Sequence, residues 1–261
     1  MVVKDLKNGG SEAASVLAEL GYDYIELSLA HLTKLINTDF NSVKNTLVAF
    51  GIPCESCNNF FPPEVRLTGP DTDLMIILAY ARKAIERAAE LGASIIVLGS
   101  GPAKNLPYGF PKNQAWDQLV TLCQKLDPIA GSNNITIVLE PLRKSECNII
   151  NSVEEAHKLM RESNTKNIKI LVDYYHMVAE NESSDILLEA ISDIRHVHLA
   201  NPEKRSFPKS WNEHLNYQMF FKNLKKIRYN ERISVEAFSD NFHEDAKISI
   251  NFLNQIRQSW I

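Results

Sequence analysis

Seven short β-branched or apolar runs alternate with eight helical segments along the 261 residues, and this alternation restricts the possible folds more than any other feature. The first helical periodicity is "SEAASVLAEL" (11–20), followed by an extended run at 22–29. "NSVKNTLVAF" (41–50) precedes 52–60, and "DLMIILAYARKAIERAAEL" (73–91) leads through a glycine into "SIIVLGS" (94–100). Helices at 113–130, 152–163, 185–193 and 217–227 precede extended runs at 135–142, 168–176, 195–201 and 233–238, and a last helix lies near 245–257. Extended runs separated by helices of ten or more residues are the pattern of parallel βαβ units. No composition shift or Pro/Gly/Ser-rich linker divides the chain, so the pattern predicts one domain over residues 1–261.

The count selects an architecture. A (β/α)8 barrel needs eight strands to close, because an open parallel edge leaves backbone groups unpaired. Seven strands with an eighth helix favour the barrel over a doubly wound sheet, with a first strand that is missing or truncated to "MVV". No G-x-G-x-x-G follows an opening strand, which removes the main sign of a dinucleotide fold. The shortfall also raises the expectation that the native product carries about ten further residues upstream, forming a true first strand of ordinary length.

Charge and hydropathy exclude several classes of function. Apolar residues make up 44% and charged residues 23%, which fits neither a disordered chain nor a membrane protein. No apolar stretch approaches the roughly 20 residues that cross a bilayer, and the N-terminus lacks the charged-then-apolar pattern of a signal peptide. The 28 lysines and arginines against 32 acids, a net charge of −4, argue against nucleic acid as a partner. The expectation is a cytoplasmic protein acting on a small molecule. Cys54, Cys57, Cys123 and Cys147 are read as reduced structural residues. The C-x-x-C of Cys54 and Cys57 lies on a strand, where positions i and i+3 face opposite sides, and no second pair completes a zinc site.

In a parallel barrel the functional groups sit at the C-terminal ends of the strands. The last four extended runs finish with Glu140 in "IVLEPL", Asp173 in "ILVDYYH", His198 in "HVHLAN" and Glu236 in "ISVEAF". One carboxylate after a strand is commonly a helix cap or a satisfied core acid, but here four metal-capable side chains occur in series. Three carboxylates facing one cavity resist ionising together unless a cation neutralises them. A divalent ion held by Glu140, Asp173, His198 and Glu236 resolves that conflict. His196 faces the same side as His198, about 6–7 Å away, and is read as a hydrogen-bonded residue one layer deeper. An oxygen-rich, sulfur-free site suits Mn2+ best, with Mg2+, Co2+ or Zn2+ as alternatives.

Glu at the first of these strand ends, D-x-x-H at the next, H-x-H after it and Glu at the last resemble the sugar phosphate isomerase/epimerase superfamily of xylose-isomerase-like TIM barrels, which includes the ketose 3-epimerases. The resemblance runs from "ELGYDYIEL" through "GSGPAKNLPYGFP" and "LEPLRKSECNIINSVEEA" to "ISVEAF". It implies that Glu140 and Glu236 act as the acid/base pair, and that Glu146 and His176 contact substrate hydroxyls. The family's substrate-binding arginine falls six residues after the metal histidine; here Lys204 holds that place and Arg205 follows, so Arg205 is the candidate. Asn58 and Asn59 stand where the related apurinic endonucleases place a zinc histidine, and no D-x-H follows "HLAN". A trinuclear zinc nuclease is therefore disfavoured.

The implied chemistry is proton transfer beside a ketose carbonyl through an enediolate. Return of the proton to the opposite face inverts one centre, return to the neighbouring carbon isomerises, and loss of a β-hydroxyl dehydrates, as in the related inosose dehydratases. A noncatalytic sugar-binding barrel is the rival from another class. "GSGPAKNLPYGF" (99–110) reads as a flexible loop with a phosphate cradle as the alternative, Arg143 and Lys144 as phosphate ligands or solvated charges, and 205–216 with Trp211 as a lid. The helix-rich outer surface would support a homodimer.

Overall fold

A computed structural model describes residues 9–259. The opening strand expected at "MVV", with anything before it, lies outside these residues. Among the described residues seven strands form one sheet in chain order, every neighbouring pair parallel. They are β1 (Ile25–Ser28), β2 (Cys54–Asn58), β3 (Ile95–Leu98), β4 (Thr136–Leu139), β5 (Ile168–Asp173), β6 (Ile194–Leu199) and β7 (Arg232–Val235). The helices are α1 (Ala14–Glu19), α2 (Leu29–Lys34), α3 (Asn37–Phe50), α4 (Leu74–Glu90), α5 (Gly101–Lys104), α6 (Lys112–Ser132), α7 (Val153–Ser163), α8 (Tyr174–Ala179), α9 (Tyr217–Lys226) and α10 (Phe242–Gln258). The result is a nearly closed barrel wrapped in helices.

Local sequence explains the elements. The Asp73 carboxylate starts α4 by accepting from the Met75 and Ile76 N–H groups at 2.9 and 3.2 Å, which satisfies donors that have no partner inside the helix. Its buried residues Ile77, Ala81, Ala84, Ile85 and Ala88 recur at helical spacing and form the stripe that faces the sheet. Ser152 caps α7 through the Glu155 N–H at 3.1 Å, and Glu155 accepts in return from the Asn151 N–H at 2.7 Å. The strands are covered on both faces: Ile96, Val97 and Leu98 of β3 are all buried. Each such side chain contributes about 1.5–3 kcal/mol of transfer free energy.

The pleat organises the barrel interior into layers, since alternate residues of each strand share a face. Strand register turns Ser56, Val97, Val138, Leu171, His196 and Ser234 to the same inward face as Glu26, and their side-chain contacts group them as the lower layer. Two residues further along each strand come Asn58, Gly99, Glu140, Asp173, His198 and Glu236. The lower layer is apolar under β3, β4 and β5, where Val97, Val138 and Leu171 cluster. It is polar under β1, β2, β6 and β7. Among the described residues β1 and β7 share no backbone ladder, and a cavity of about 360 Å³ lies between them, lined by residues including Tyr22, Glu26, Arg232 and Ser234.

Several expectations are corrected. The helix expected over 185–193 is a short 3-10 turn, Ser184–Leu188, in which only Leu187 is buried, too little apolar surface to hold a full helix in place. The strand read through residue 176 ends at Asp173, because the Asp173 carboxylate caps α8 there. Cys54 and Cys57 do not face apart: Ile25 pairs with Cys54 but Glu26 with Ser56, so Glu55 is an extra residue in β2. That bulge resets the alternation and brings the two buried sulfurs to 3.8 Å. All four cysteines are free thiols.

The 99–110 segment is not a flexible loop at its start. It opens with α5, and Lys104 is wholly buried, donating from Nζ to the Glu140 carbonyl oxygen at 2.9 Å. Trp211 packs against two helices. Its ring meets Phe221 and Phe252 edge-on, with centroids 5.7 and 5.3 Å away, and so ties the segment to α9 and α10. No helix among the described residues is long and apolar enough to cross a membrane.

Candidate metal and active site

Glu140, Asp173, His198 and Glu236 are all buried, and one ligand atom from each lies within 4.8 Å of the others. His198 is the hub. Its Nδ1 sits 3.0 Å from Glu140 Oε1 and 3.5 Å from Glu236 Oε2. Asp173 divides its carboxylate between two tasks. Oδ1 accepts from the Tyr175 and His176 N–H groups at 2.7 and 3.4 Å and so caps α8, while Oδ2 lies 3.7 Å from His176 Nε2.

The electrostatics are those of crowded acids short of positive charge. Burial, reinforced by the neighbouring Glu236 and Asp173 charges, raises the Glu140 carboxyl above its ordinary range. Burial likewise pushes Asp173 up to about 6, with Glu236 adding to the rise and His198 and Arg205 opposing it. Burial also disfavours ionisation of Glu236, but His198 and Arg205 overcome it and hold that carboxyl well below the usual range. For His198, desolvation opposes the imidazolium, yet Glu26, Glu236 and Glu140 raise its pKa well above normal. The His198 imidazole and the Arg205 guanidinium serve as counter-charges to the surrounding carboxylates. The donor set fits a divalent cation: three carboxylates and one imidazole, converging and buried, with no thiolate among them.

The other expected residues line the same mouth. His176 is buried on α8; its Nδ1 accepts the Arg143 N–H at 3.1 Å, and its Nε2 has no hydrogen-bond partner among the described residues. That bond places the ring proton on Nε2, while burial lowers the pKa and keeps the ring neutral. Of the two cationic candidates, Lys204 is exposed and Arg205 turns inward. Arg205 Nη2 donates to Glu236 Oε2 at 2.5 Å, Nη1 reaches Glu146 Oε2 at 3.4 Å, and Nε is buried without a partner. The guanidinium lies over Tyr175, 5.0 Å from the ring centroid. Glu146 is half-buried and also pairs with Arg143 Nε at 2.7 Å. Lys144 is exposed and pairs with Glu180 at 3.0 Å.

Sequence reasoning missed three contributors. Glu26 of β1 is buried and hydrogen-bonds both histidines of the H-x-H, at 2.8 Å to His196 and 2.9 Å to His198. An acid flanked by the apolar Ile25 and Leu27 inside "YDYIELSL" was its only signal. Asn58, noted above only as not being a histidine, donates Nδ2 to Glu236 Oε1 at 3.1 Å. Gly99 leaves space: a Cβ there would fall 1.9 Å from Glu140 Oε2.

Parallel strands curled into a barrel, with acids and an imidazole gathered where the last four strands end, define a class: α/β barrels with a metal-capable mouth. The chain belongs to the Xylose isomerase-like TIM barrel family, whose model matches residues 14–256. It is 28% identical to L-ribulose 3-epimerase of Methylomonas sp. (strain DH-1) over 268 residues, spanning 97% of this chain and 86% of that protein. It is 26% identical to 3-dehydro-D-guloside 4-epimerase of Escherichia coli (strain K12) over 238 residues, 85% of this chain and 84% of the relative. The crystal structure of D-allulose 3-epimerase from Methylomonas sp. in complex with D-allulose superimposes with a TM-score of 0.82 at 25% identity, covering 97% of this chain and 92% of that one.

Proposed function

We propose that this protein is a divalent-metal-dependent sugar epimerase that inverts the carbon beside the carbonyl of an unphosphorylated ketose, with Glu140 and Glu236 as the acid/base pair. The observation that carries the reading is the placement of these two buried carboxylates on β4 and β7, three strands apart, both reaching toward His198 Nδ1 at 3.0 and 3.5 Å. Glu140, Asp173, His198 and Glu236 would hold the ion, Mn2+ by preference. When bound, it acts as a Lewis acid that polarises the carbonyl and acidifies the adjacent C–H.

The two glutamates have environments that push their proton affinities apart, the pattern that separates an acid from a base. Glu236, kept ionised by His198 and Arg205, takes the proton in one direction. Glu140, whose carboxyl is raised by burial, supplies a proton to the other face. The neutral His176 offers Nε2–H and Arg205 offers its unpartnered Nε–H, two donors suited to substrate oxygens. Charge commitment supports the reading of an unphosphorylated substrate. Arg143 and Arg205 are paired with Glu146 and Glu236, and Lys144 with Glu180, so a phosphate would have to displace carboxylates. The two named relatives epimerise different carbons, C3 of a pentulose and C4 of a 3-keto sugar, and both centres lie next to a ketone.

The test is incubation in deuterated water with Mn2+ and a panel of free ketoses and 3-keto sugars. One deuteron gained beside the carbonyl, together with the inverted product, is expected. Loss of water would make the protein a dehydratase, and no wash-in across the panel would make it a binding barrel. The ligand set has its own check. Asp173→Asn keeps a helix cap, since asparagine caps as well as aspartate, but gives up one charged ligand. The variant is expected to remain folded and to bind Mn2+ at least about tenfold more weakly by calorimetric titration. Unchanged affinity would remove Asp173 from the set.

A further inference from the structure

We infer that Glu26 is a positioning residue that locks the tautomer and direction of the His198 imidazole so that Nδ1, rather than Nε2, is presented to the divalent ion. The inference rests on the metal reading above. It begins with an acid placed where an apolar residue would be expected: Glu26 is buried inside the barrel, one layer below the mouth. Oε1 accepts from His198 Nε2 at 2.9 Å. Oε2 accepts from His196 Nε2 at 2.8 Å, from Ser56 Oγ at 2.7 Å and from Ser234 Oγ at 2.5 Å. One carboxylate on β1 thus gathers donors from β2, β6 and β7.

An ionised carboxylate only accepts, and its two oxygens have about four lone-pair sites. One contact falls on Oε1 and three on Oε2, and because the carboxylate can only accept, every partner must be the donor. Ser234 is free to donate because Tyr24 OH, 2.7 Å from its Oγ, can supply the proton that Oγ receives. His198 therefore carries a proton on Nε2. Its other nitrogen, Nδ1, is the one that faces Glu140 and Glu236. A ring held through Nε2–H by a charged acceptor has its Nδ1 lone pair aimed at the site and made more basic, the usual effect of a carboxylate behind a metal-bound imidazole. His196 shares the same carboxylate, its ring 5.1 Å from that of His198 at 77°, and braces the imidazole from the layer beneath. One of the four bonds, from Ser234, ties β1 to β7 through side chains, across the position where no backbone ladder joins them among the described residues.

The test compares Glu26→Gln and Glu26→Ala with wild type. Gln preserves the shape and one acceptor oxygen but not the charge, so it can satisfy only one histidine as an acceptor. The Mn2+ dissociation constant, read by calorimetric titration and by the spin-resonance signal of free Mn2+, is expected to rise about 10- to 100-fold in Glu26→Gln and further in Glu26→Ala. Nitrogen NMR of the Mg2+-loaded wild type should show the His198 proton on Nε2. Both readouts concern folded protein, so a purely structural role for Glu26 would lower melting temperature without moving either. The inference is overturned by Mn2+ affinity in Glu26→Gln within twofold of wild type, or by a His198 proton on Nδ1. It is equally overturned by two ions per wild-type chain, one lost on Glu26→Gln, which would make Glu26, His196 and His198 ligands in their own right. If wild type binds no Mn2+ at all, the metal reading falls and takes this inference with it.

Discussion

Glu236→Gln should lower kcat by about 10²- to 10⁴-fold while leaving the barrel folded. Glutamine matches glutamate in shape, and its amide oxygen can keep the hydrogen bond from Asn58 Nδ2, 3.1 Å in the parent. The charge is lost. His198 and Arg205 hold Glu236 ionised despite its burial, and an amide in that place can neither take a proton nor balance Arg205 Nη2 at 2.5 Å. The amide is also a poorer metal ligand, so turnover should be measured at saturating Mn2+, where a residual deficit reports proton transfer alone. Undiminished epimerisation and undiminished deuterium exchange would exclude Glu236 from acid/base chemistry.

Gly99→Ala is expected to have nearly as large an effect without touching an ionisable group. The new methyl would fall 1.9 Å from Glu140 Oε2, a contact that forces the carboxylate to move, and a tight 3.1 Å from its Cδ. Residue 99 is not in the left-handed region, so alanine adds no backbone strain there. Lys104 anchors the Glu140 carbonyl oxygen at 2.9 Å, so the displacement falls on the carboxylate and not on the strand. Overpacking of this kind costs about 1–3 kcal/mol of stability. Moving a catalytic group by about 1 Å costs on the order of 10²-fold in rate. A variant that melts a few degrees lower and has lost about two decades of kcat is the expected result; wild-type kcat would show that Glu140 needs no such clearance.

What the sequence disclosed, and what it hid, follows from the range of the interactions involved. Glu140, Asp173, His198 and Glu236 were legible because each ends an apolar run, so chain position alone placed them at the mouth. The seven strands were legible for the same reason. Gly99 was not, because its purpose is the side chain of Glu140 on the next strand, 41 residues later (140 − 99). Glu26 was hidden by an ordinary assumption: one acid in a short strand reads as a solvent-facing position, and only the closure of β1 toward β6 and β7 turns it inward. The paired sulfurs of Cys54 and Cys57 depended on a one-residue bulge at Glu55, which alternation rules cannot foresee. The start of α8 at Tyr174 was masked because β-prone tyrosines follow a β-prone run, whereas the Asp173 cap decides the boundary.

The division of labour within the Asp173 side chain bears on how such a protein can change over generations. One oxygen holds the first turn of α8; the other faces the charge cluster. Asparagine performs the first task as well as aspartate does, and it removes a negative charge from a place where burial and Glu236 already resist ionisation. A single substitution at this codon therefore sheds one charged member of the proposed metal site at little or no loss of folding stability. Selection acting only on a well-folded barrel would not oppose that step. Position 173 is thus a place where the activity proposed above can be lost while the barrel remains a sound fold.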